Sequence, residues 1–369
     1  MTHLNETVLD DQGERPHAPR EAPRAGQSGS GGLIRIAASG CFPRALAVAA
    51  RLGLADLTAT TARTAAELAA RTQTNPDALG LLLHTLTMME VFKVDAEGSF
   101  HLSDEFAQLR SDHPQSLRNY CILMAETYDD AFGGLLDTVR TGKSGFQSMF
   151  GASLYEYLAD HPEAEAIFDN AMAELAKPVA AALAEHYDFA AVATVIDIGG
   201  GGGAFLRGIL QAHPHLRGIC LDRPSVCDRA QTALRNEAEG GLGERLTFQS
   251  ADVFRDIPEG GDRYLVKNVL YDWSFDSCLR LLGAARNAMQ GTARARDASA
   301  ENSPRLLIVE PLFERDSDAA RALFQMVICE DGTRGFSQAQ LRRLIEASDL
   351  KVLSIERLSC GHSVFECAP

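Results

Sequence analysis

A run of five glycines directly after an apolar segment is the strongest chemical signal in the sequence. The segment, residues 192–198, contains Asp197, and the glycines extend from Gly199 to Gly203. Glycine allows a tight turn and lets a ligand approach the backbone where a Cβ would clash. A helix beginning after such a turn suits a phosphate, but the Asp197 carboxylate disfavours phosphate and favours an ammonium group. The pattern therefore predicts a site for S-adenosylmethionine (SAM), which carries an ammonium group and no phosphate.

Two more acidic residues follow the next two apolar segments. Asp222 directly follows residues 218–221 and lies about 20 residues beyond the turn. A carboxylate at this position can accept hydrogen bonds from both hydroxyls of a ribose. Asp252 follows residues 246–250 and is placed to accept from the adenine amino group, with Phe254 covering the ring. The alternative for Asp252 is a surface residue that only caps its strand. Together with the glycine turn, these acids favour a nucleoside ligand.

The elements that must position these residues alternate between strand and helix patterns from residue 192 onward. Further strands are predicted at residues 264–268 and 305–309, and a hairpin at 351–358 and 362–367. Alternation of this kind indicates an α/β fold with a Rossmann-like, doubly wound, mainly parallel sheet, closed here by a C-terminal antiparallel hairpin. The carboxyl ends of its strands would bring the glycine turn and the acidic residues to one edge.

The N-terminal part of the chain has a different pattern. Helical spacing at residues 33–57, 64–71 and 76–89 precedes a hairpin signal around residues 95–98, which together describe a winged helix. Such a module often reads DNA, and a ligand-binding DNA regulator is one alternative. The third helix contains no Lys or Arg, however, whereas a DNA reader needs cations there. We therefore expect it to pack against a second subunit.

Four parts of the chain follow from these patterns. We predict a disordered tail at residues 1–32, a winged-helix-like dimerisation domain at 33–110, a helical linker and substrate-pocket segment at 111–190, and a SAM-binding Rossmann-like domain at 191–369. The helical segment is rich in aromatic residues and Met. Most of these side chains are expected in the core, and the rest are expected to form the wall of a pocket for a planar or hydrophobic substrate.

The composition excludes several other classes of protein. A length of 369 residues with 46% hydrophobic residues suits two folded domains, and the net charge of −15 disfavours nucleic acid or an anionic membrane as partner. We find no apolar run of about 18 residues and no secretory signal pattern, so no membrane span is expected. Eight cysteines without a CxxC pair predict reduced thiols in a cytoplasmic protein and no metal site.

The motifs resemble those of the class I SAM-dependent O-methyltransferases that act on small molecules, the family of the plant caffeate and flavonoid enzymes and bacterial polyketide-tailoring enzymes. The resemblance covers residues from about 40 to 366. Residues 197–203 resemble the family's DxGGGxG, 221–224 its DLP, 265–273 its LKxxLHDW, and 47–57 its dimerisation segment. Several motifs in the family's order imply a homodimeric, SAM-dependent methyltransferase.

The resemblance also implies roles for individual residues. Gly199 and Gly201 would contact the methionine part of SAM, Asp222 the ribose, and Asp252 with Val253 or Phe254 the adenine. Lys267 would lie near the cofactor, and Arg223 and Asn268 are also predicted to bind it. A small-molecule substrate would lie between the helical segment and the sheet edge. Its predicted contacts are Met124, Tyr128, Phe168, Met172, Trp273 and Met326.

The sequence departs from the family at the catalytic base. The usual His of HDW is Tyr271 here, followed by Asp272, which either shapes the substrate site or caps the next helix. No histidine occurs between His215 and His362. Glu310 matches the acid that normally orients the His. A neutral Tyr, with a pKa near 10, is a poor base at neutral pH.

Three interpretations of this departure remain open. Methyl transfer proceeds by proximity and orientation, which contribute on the order of 7–11 kcal/mol. Alternatively, Tyr271 hydrogen-bonds the substrate and favours N- or C-methylation. In the third, the scaffold keeps SAM but runs other chemistry, such as hydroxylation, decarboxylation or a pericyclic cyclisation. The first interpretation, methyl transfer by proximity and orientation, predicts methylation of an aromatic or polyketide-like natural-product intermediate.

Overall fold

The structure is a computed structural model that describes residues 30–236, 242–296, 303–314 and 316–369. The chain forms two units, Met1–Cys41 and Phe42–Pro369, and helix α1 (Ser30–Ala38) belongs to the first. The predicted disordered tail lies outside the described residues except for its last three. Those three are helical, which corrects the predicted boundary, because the apolar residues after them continue the same helix.

The N-terminal domain has the predicted order of helices followed by a hairpin. Its elements are α2 (Cys41–Arg51), α3 (Leu54–Leu57), β1 (Arg63–Thr64), α4 (Ala65–Thr72), α5 (Pro76–Thr87), β2 (Phe92–Val94) and β3 (Ser99–Leu102). The strands form an antiparallel sheet in the order β1-β3-β2. The Asn75 side chain caps α5 by accepting a hydrogen bond from the Ala78 N–H, and Pro76 is the first residue of the helix. Leu68, Leu83 and Phe92 lie in the buried core of this domain.

One described stretch, Gly32–Arg51, is long and apolar enough by length and composition to cross a membrane. This corrects the expectation that no such run exists. The stretch meets the criterion because its Ile, Leu, Val and Ala residues keep the mean hydropathy high despite three arginines. In α2 the side chains of Ala45, Ala49 and Ala50 are buried in the N-terminal core. A core helix of this composition meets the same criterion, so the finding is weak as a membrane signal.

Short helices connect the N-terminal domain to the sheet. They are α6 (Arg118–Ala125), α7 (Thr127–Ala131), α8 (Leu135–Thr141), α9 (Gly145–Phe150), α10 (Leu154–Asp160) and the long α11 (Pro162–His186). Glycines allow them to cross closely, since a Cβ on Gly134 would lie 2.4 Å from the Gly145 carbonyl oxygen. Ser153 and Glu156 form a capping box that starts α10. The aromatic residues of this segment pack into a cluster with α15, described next.

The C-terminal domain is a seven-stranded sheet in the order β6-β5-β4-β7-β8-β10-β9. Its strands are β4 (Thr194–Ile198), β5 (Arg217–Asp222), β6 (Leu246–Ser250), β7 (Arg263–Lys267), β8 (Arg305–Glu310), β9 (Lys351–Arg357) and β10 (Ser363–Ala368). Its helices are α12 (Ala204–Ala212), α13 (Pro224–Asn236), α14 (Phe275–Arg296), α15 (Ala319–Ile328) and α16 (Gln338–Ala347). Strands β6, β5, β4, β7 and β8 pair in parallel, and β10 is antiparallel to both β8 and β9. The predicted fold class, a doubly wound sheet with a C-terminal hairpin, is confirmed.

Helices cover both faces of this sheet. Val195 of β4 points into a core with Leu183 and Phe205, whereas the next residue, Ile196, points into a second core with Leu281 and Leu344. Because both faces are buried, polar side chains of the strands can gather only at strand ends. Ligands of doubly wound sheets bind outside the carboxyl ends of the strands, where the direction of winding changes. Here that edge lies beyond β4 and its neighbours β5 and β7.

Candidate active site

A cavity of about 610 Å³ lies at the carboxyl ends of β4, β5 and β7. Helix α11 forms its opposite wall. The ten residues predicted to bind cofactor all line this cavity: Asp197, Gly199, Gly201, Asp222, Arg223, Asp252, Val253, Phe254, Lys267 and Asn268. The structure thus brings together residues from four separate stretches of sequence. Their contacts with a ligand remain predictions.

The glycine turn is held open by left-handed backbone conformations. The φ angles of Gly199, Gly201 and Gly203 are 70°, 58° and 76°, a region that L side chains rarely adopt. The N–H groups of Gly199 and Gly200 donate to the Leu221 carbonyl at 2.9 and 3.1 Å, which ties the turn to β5. Apart from its two chain neighbours, no atom of the described residues lies within 4 Å of a Cβ built on Gly201. The backbone there faces open space that a ligand can enter.

Asp222 at the end of β5 is fixed by two backbone donors. Its Oδ2 accepts from the Gly201 N–H and its Oδ1 from the Arg223 N–H, both at 2.8 Å. Burial raises the pKa of this carboxyl, while those two hydrogen bonds lower it. Each carboxylate oxygen retains a free lone pair. Asp222 therefore offers two acceptors, side by side, to a pair of hydroxyl groups.

Asp197 is the most unusual polar group in the cavity. It is 1% exposed, and its Oδ2 has no hydrogen-bond partner within the part of the chain that the structure describes. Burial raises its pKa to about 7, against the attraction of Lys267. Burial likewise lowers the pKa of Lys267. A buried carboxylate oxygen without a donor is costly, so the site is built for a cationic donor supplied from outside.

A buried ion-pair network links helix α11 to the loop after β5. Glu165, which is 2% exposed, pairs with Arg223 at 3.0 Å and with Arg229, and Arg229 also pairs with Asp169. Ser225 donates a further hydrogen bond to Glu165 at 3.1 Å. Because Arg223 and Asp169 line the cavity, this network fixes the relative positions of the cavity's opposite walls.

Asp272 forms a second acidic point in the lining of the cavity. Its Oδ2 accepts from the Tyr155 hydroxyl at 2.8 Å, and its Oδ1 accepts from the Cys329 thiol at 3.2 Å. Burial raises the pKa of Asp272 to about 6, and both hydrogen bonds lower it. Trp273 stacks on Tyr155 with ring centroids 5.2 Å apart. Asp272 thus lies at the edge of a flat aromatic surface.

The other two predicted catalytic residues lie behind this surface and do not line the cavity. Glu310 is buried, and its Oε1 accepts from the N–H groups of Val269 and Leu270 at 2.9 Å. Its Oε2 has no partner in the described residues, and burial raises the pKa of Glu310 to about 8. Burial also raises the pKa of Tyr271 well above 10. A protonated Glu310 and a neutral Tyr271 leave Asp272 as the ionised acid of this group.

The predicted substrate residues separate into two groups. Phe168, Met172 and Trp273 line the cavity, whereas Met124 and Tyr128 lie in the adjacent aromatic cluster, with Tyr128 edge-on to Phe324 at 5.1 Å. Met326 belongs to neither. Its neighbours Gln325 and Val327 turn inward on α15, and this rotation of the helix depends on packing that the sequence pattern does not give.

Sequence reasoning missed Tyr155, Cys329 and Glu165. The capping box at Ser153 predicts that a helix starts there. It does not reveal that the Tyr155 hydroxyl reaches a residue 117 positions away. A Glu on the buried face of a helix, such as Glu165 four residues before Asp169, is a usable signal for a paired cation.

Comparisons with known proteins agree with this geometry. Residues 132–340 match the family model of an O-methyltransferase domain, and residues 34–105 that of an O-methyltransferase dimerisation domain. The chain is 39% identical over 345 residues to the phenazine O-methyltransferase PhzM of Lysobacter antibioticus, covering 91% of this chain and 95% of that protein. It is 34% identical over 256 residues to the aclacinomycin 10-hydroxylase RdmB of Streptomyces purpurascens, covering 68% of each.

A solved structure is similar over most of the chain. The O-methyltransferase NcsB1 from neocarzinostatin biosynthesis, in complex with SAM and 2-hydroxy-5-methyl naphthoic acid, matches with a TM-score of 0.73 and 28% identity. The match covers 91% of this chain and 98% of NcsB1.

Proposed function

The chain belongs to the O-methyltransferase family, and on that premise we propose that it methylates a planar aromatic or polyketide-like small molecule, at oxygen, with SAM as the methyl donor. It is a SAM-dependent methyltransferase by its family. The observation that carries the finer proposal is a cavity lined by two acids, Asp197 with its unpartnered oxygen and Asp272 beside the aromatic surface.

The cofactor half of the cavity fits SAM. The unpartnered Oδ2 of Asp197 is matched by the ammonium group of the methionine part, and the two free acceptors of Asp222 by the ribose hydroxyls. Asp252 would accept from the adenine amino group, although its Oδ1 already accepts from the Phe254 N–H at 3.0 Å. When bound, SAM supplies a methyl group on a positively charged sulfur.

The substrate half selects a flat molecule with an acidic hydroxyl. Phe168, Met172 and the stacked pair of Tyr155 and Trp273 supply apolar surface for an aromatic ring. Asp272, with a pKa of about 6, is ionised at neutral pH and accepts the proton of a phenol or enol held against it. Orientation in this slot supplies most of the rate enhancement, on the order of 7–11 kcal/mol. Tyr271 acts as wall rather than base.

We also propose that the protein is a cytoplasmic homodimer that uses residues 33–110 for association and residues 111–369 for its chemistry. The dimerisation-domain match supports this. So does α5, which carries no Lys or Arg, exposes Leu81 and is followed directly by the exposed Met88. A face of that composition suits a protein partner better than nucleic acid. All eight cysteines are free thiols, which agrees with a reducing compartment.

Calorimetric titration with SAM and with S-adenosylhomocysteine tests the cofactor assignment. We expect both to bind and Asp222→Ala to weaken both, while Asp228→Ala, an exposed acid on the helix that follows Asp222, leaves them unchanged. No heat with either ligand would refute the cofactor site. A hydroxyphenazine and 2-hydroxy-5-methyl naphthoic acid then serve as acceptor probes, with one S-adenosylhomocysteine expected for each methylated product. SAM that binds but is not consumed while a probe changes would point to hydroxylase-type chemistry instead.

A further inference from the structure

Tyr155 contacts Asp272 directly and is joined to the cofactor side of the cavity through Arg223. Its hydroxyl donates to the Oδ2 of Asp272 at 2.8 Å, and its ring stacks on Trp273 at an interplanar angle of 17°. Phe168 packs edge-on against the same ring, with centroids 6.0 Å apart. The side chain is therefore held from several directions, and its hydroxyl has one fixed orientation.

The backbone of Tyr155 is tied to the cofactor end of the cavity. Its carbonyl accepts from the Arg223 guanidinium at 3.1 Å, and that guanidinium also lies over the ring, 5.4 Å from its centroid. Arg223 is held in turn by the buried Glu165, and its N–H donates to Asp222. A continuous set of contacts thus runs from the ribose-side acid to the substrate-side acid, with Tyr155 in the middle.

We propose that Tyr155 is a positioning residue for Asp272: its hydroxyl points the carboxylate toward the substrate slot and stabilises the ionised form that takes the substrate proton. This rests on the proposed function for the role of Asp272. The Cys329 thiol lies 3.2 Å from the other oxygen and 2.7 Å from the Gln325 side-chain oxygen, so two acceptors compete for its single proton and the Tyr155 hydroxyl is the firmer donor to the carboxylate.

The surroundings of Asp272 make this hydrogen bond consequential. Burial raises its pKa to about 6, and the hydrogen bond from Tyr155 is the largest of the effects that lower it, followed by those of Cys329 and Lys267. Further titratable groups that interact with Asp272 are Glu310, Tyr128, Tyr271 and Cys278. Without the Tyr155 hydroxyl, the proton would be retained at physiological pH.

The fluorescence of Trp273 provides a test that needs no substrate. Trp273 is the only tryptophan in the chain, follows Asp272 directly and stacks on Tyr155, so its emission reports the ionisation of the neighbouring carboxyl. We expect a pH titration with a midpoint near 6 in the unaltered protein. Tyr155→Phe keeps the ring and removes the donor, and should raise the midpoint by about 1 to 2 pH units.

Matched variants separate positioning from structural effects. Tyr157→Phe, in the same helix, removes a hydroxyl that makes no hydrogen bond within the described residues and should leave the midpoint unchanged. Asp272→Asn should abolish the transition. Cys329→Ala, which removes the weaker donor, should raise the midpoint by less than Tyr155→Phe does.

Two outcomes overturn the proposal: an unchanged midpoint in Tyr155→Phe, or a transition that survives in Asp272→Asn. Failure of the proposed function can be distinguished from failure of the Tyr155 proposal. A protein that transfers no methyl group to a probe would still show the pH titration of Trp273 fluorescence. In an active protein, the acidic limb of the pH–kcat profile should shift with the fluorescence midpoint. A loss of packing alone would lower kcat without moving that limb.

Discussion

Replacing Asp197 with Asn should strengthen the fold and weaken cofactor binding at the same time. The folded protein raises the pKa of Asp197 from 3.8 to about 7, chiefly by burial. At pH 4 the carboxyl is largely protonated in the folded state, and at pH 8 it is ionised in both states. Stability is therefore lost as pH rises from about 4 to 7, by up to roughly 4 kcal/mol, because each pKa unit corresponds to about 1.4 kcal/mol.

Asn is neutral at every pH and removes this penalty. In urea unfolding of the protein without ligand, Asp197→Asn should be more stable than the unaltered protein by up to about 4 kcal/mol at pH 8, and by much less at pH 4. This figure already includes the attraction to Lys267, which lowers the pKa of Asp197. In calorimetry at pH 8, the same variant should bind SAM roughly 10- to 150-fold more weakly, since a charge-assisted hydrogen bond contributes about 1.5–3 kcal/mol.

The two measurements refute different parts of the reasoning. A variant that is less stable at pH 8 would mean that Asp197 supports the fold through interactions other than those described. Unchanged SAM affinity would mean that its unpartnered oxygen does not meet the ammonium group. A variant that is more stable and binds SAM more weakly would show that Asp197 destabilises the folded protein and that ligand binding offsets this cost.

Three other substitutions test neighbouring features. Tyr271→His places an imidazole at the family's base position, near the unpartnered Oε2 of Glu310. It should raise kcat on weakly acidic phenols by about 10- to 100-fold at pH 8, with the KM for SAM unchanged. An unchanged kcat would show that orientation of the substrate already suffices. Glu165→Gln removes the buried charge shared by two arginines and should lower the free energy of unfolding in urea by about 1–3 kcal/mol. An unchanged free energy would show that solvent already screens these ion pairs. Gly203→Ala combines a φ of 76° with a Cβ 2.9 Å from the Phe248 ring, and should lower stability by about 2–3 kcal/mol; an unaffected midpoint of thermal unfolding would mean that the ring moves aside freely.

The cofactor half of the site was largely predictable from the sequence because its parts are local. The glycine turn follows β4 directly, Asp222 ends β5, and Asp252 lies two residues beyond β6. A parallel sheet brings such strand ends together whatever the details of packing. The substrate half depends on how separate helices are rotated and crossed. Tyr155 and Asp272 meet across 117 residues, and Met326 of α15 is not among the residues that line the cavity. Such contacts follow from tertiary packing, which periodicity alone does not determine.

The sheet order also bears on how the chain is made. Strand β10, residues 363–368, is the latest strand in the sequence, yet it lies inside the sheet between β8 and β9. While a ribosome is still adding these residues, β8 carries an open, apolar edge and β9 has no neighbour to pair with. The sheet therefore closes only when synthesis of this stretch is complete, and a nascent chain stalled just before residue 363 should engage chaperones or aggregate.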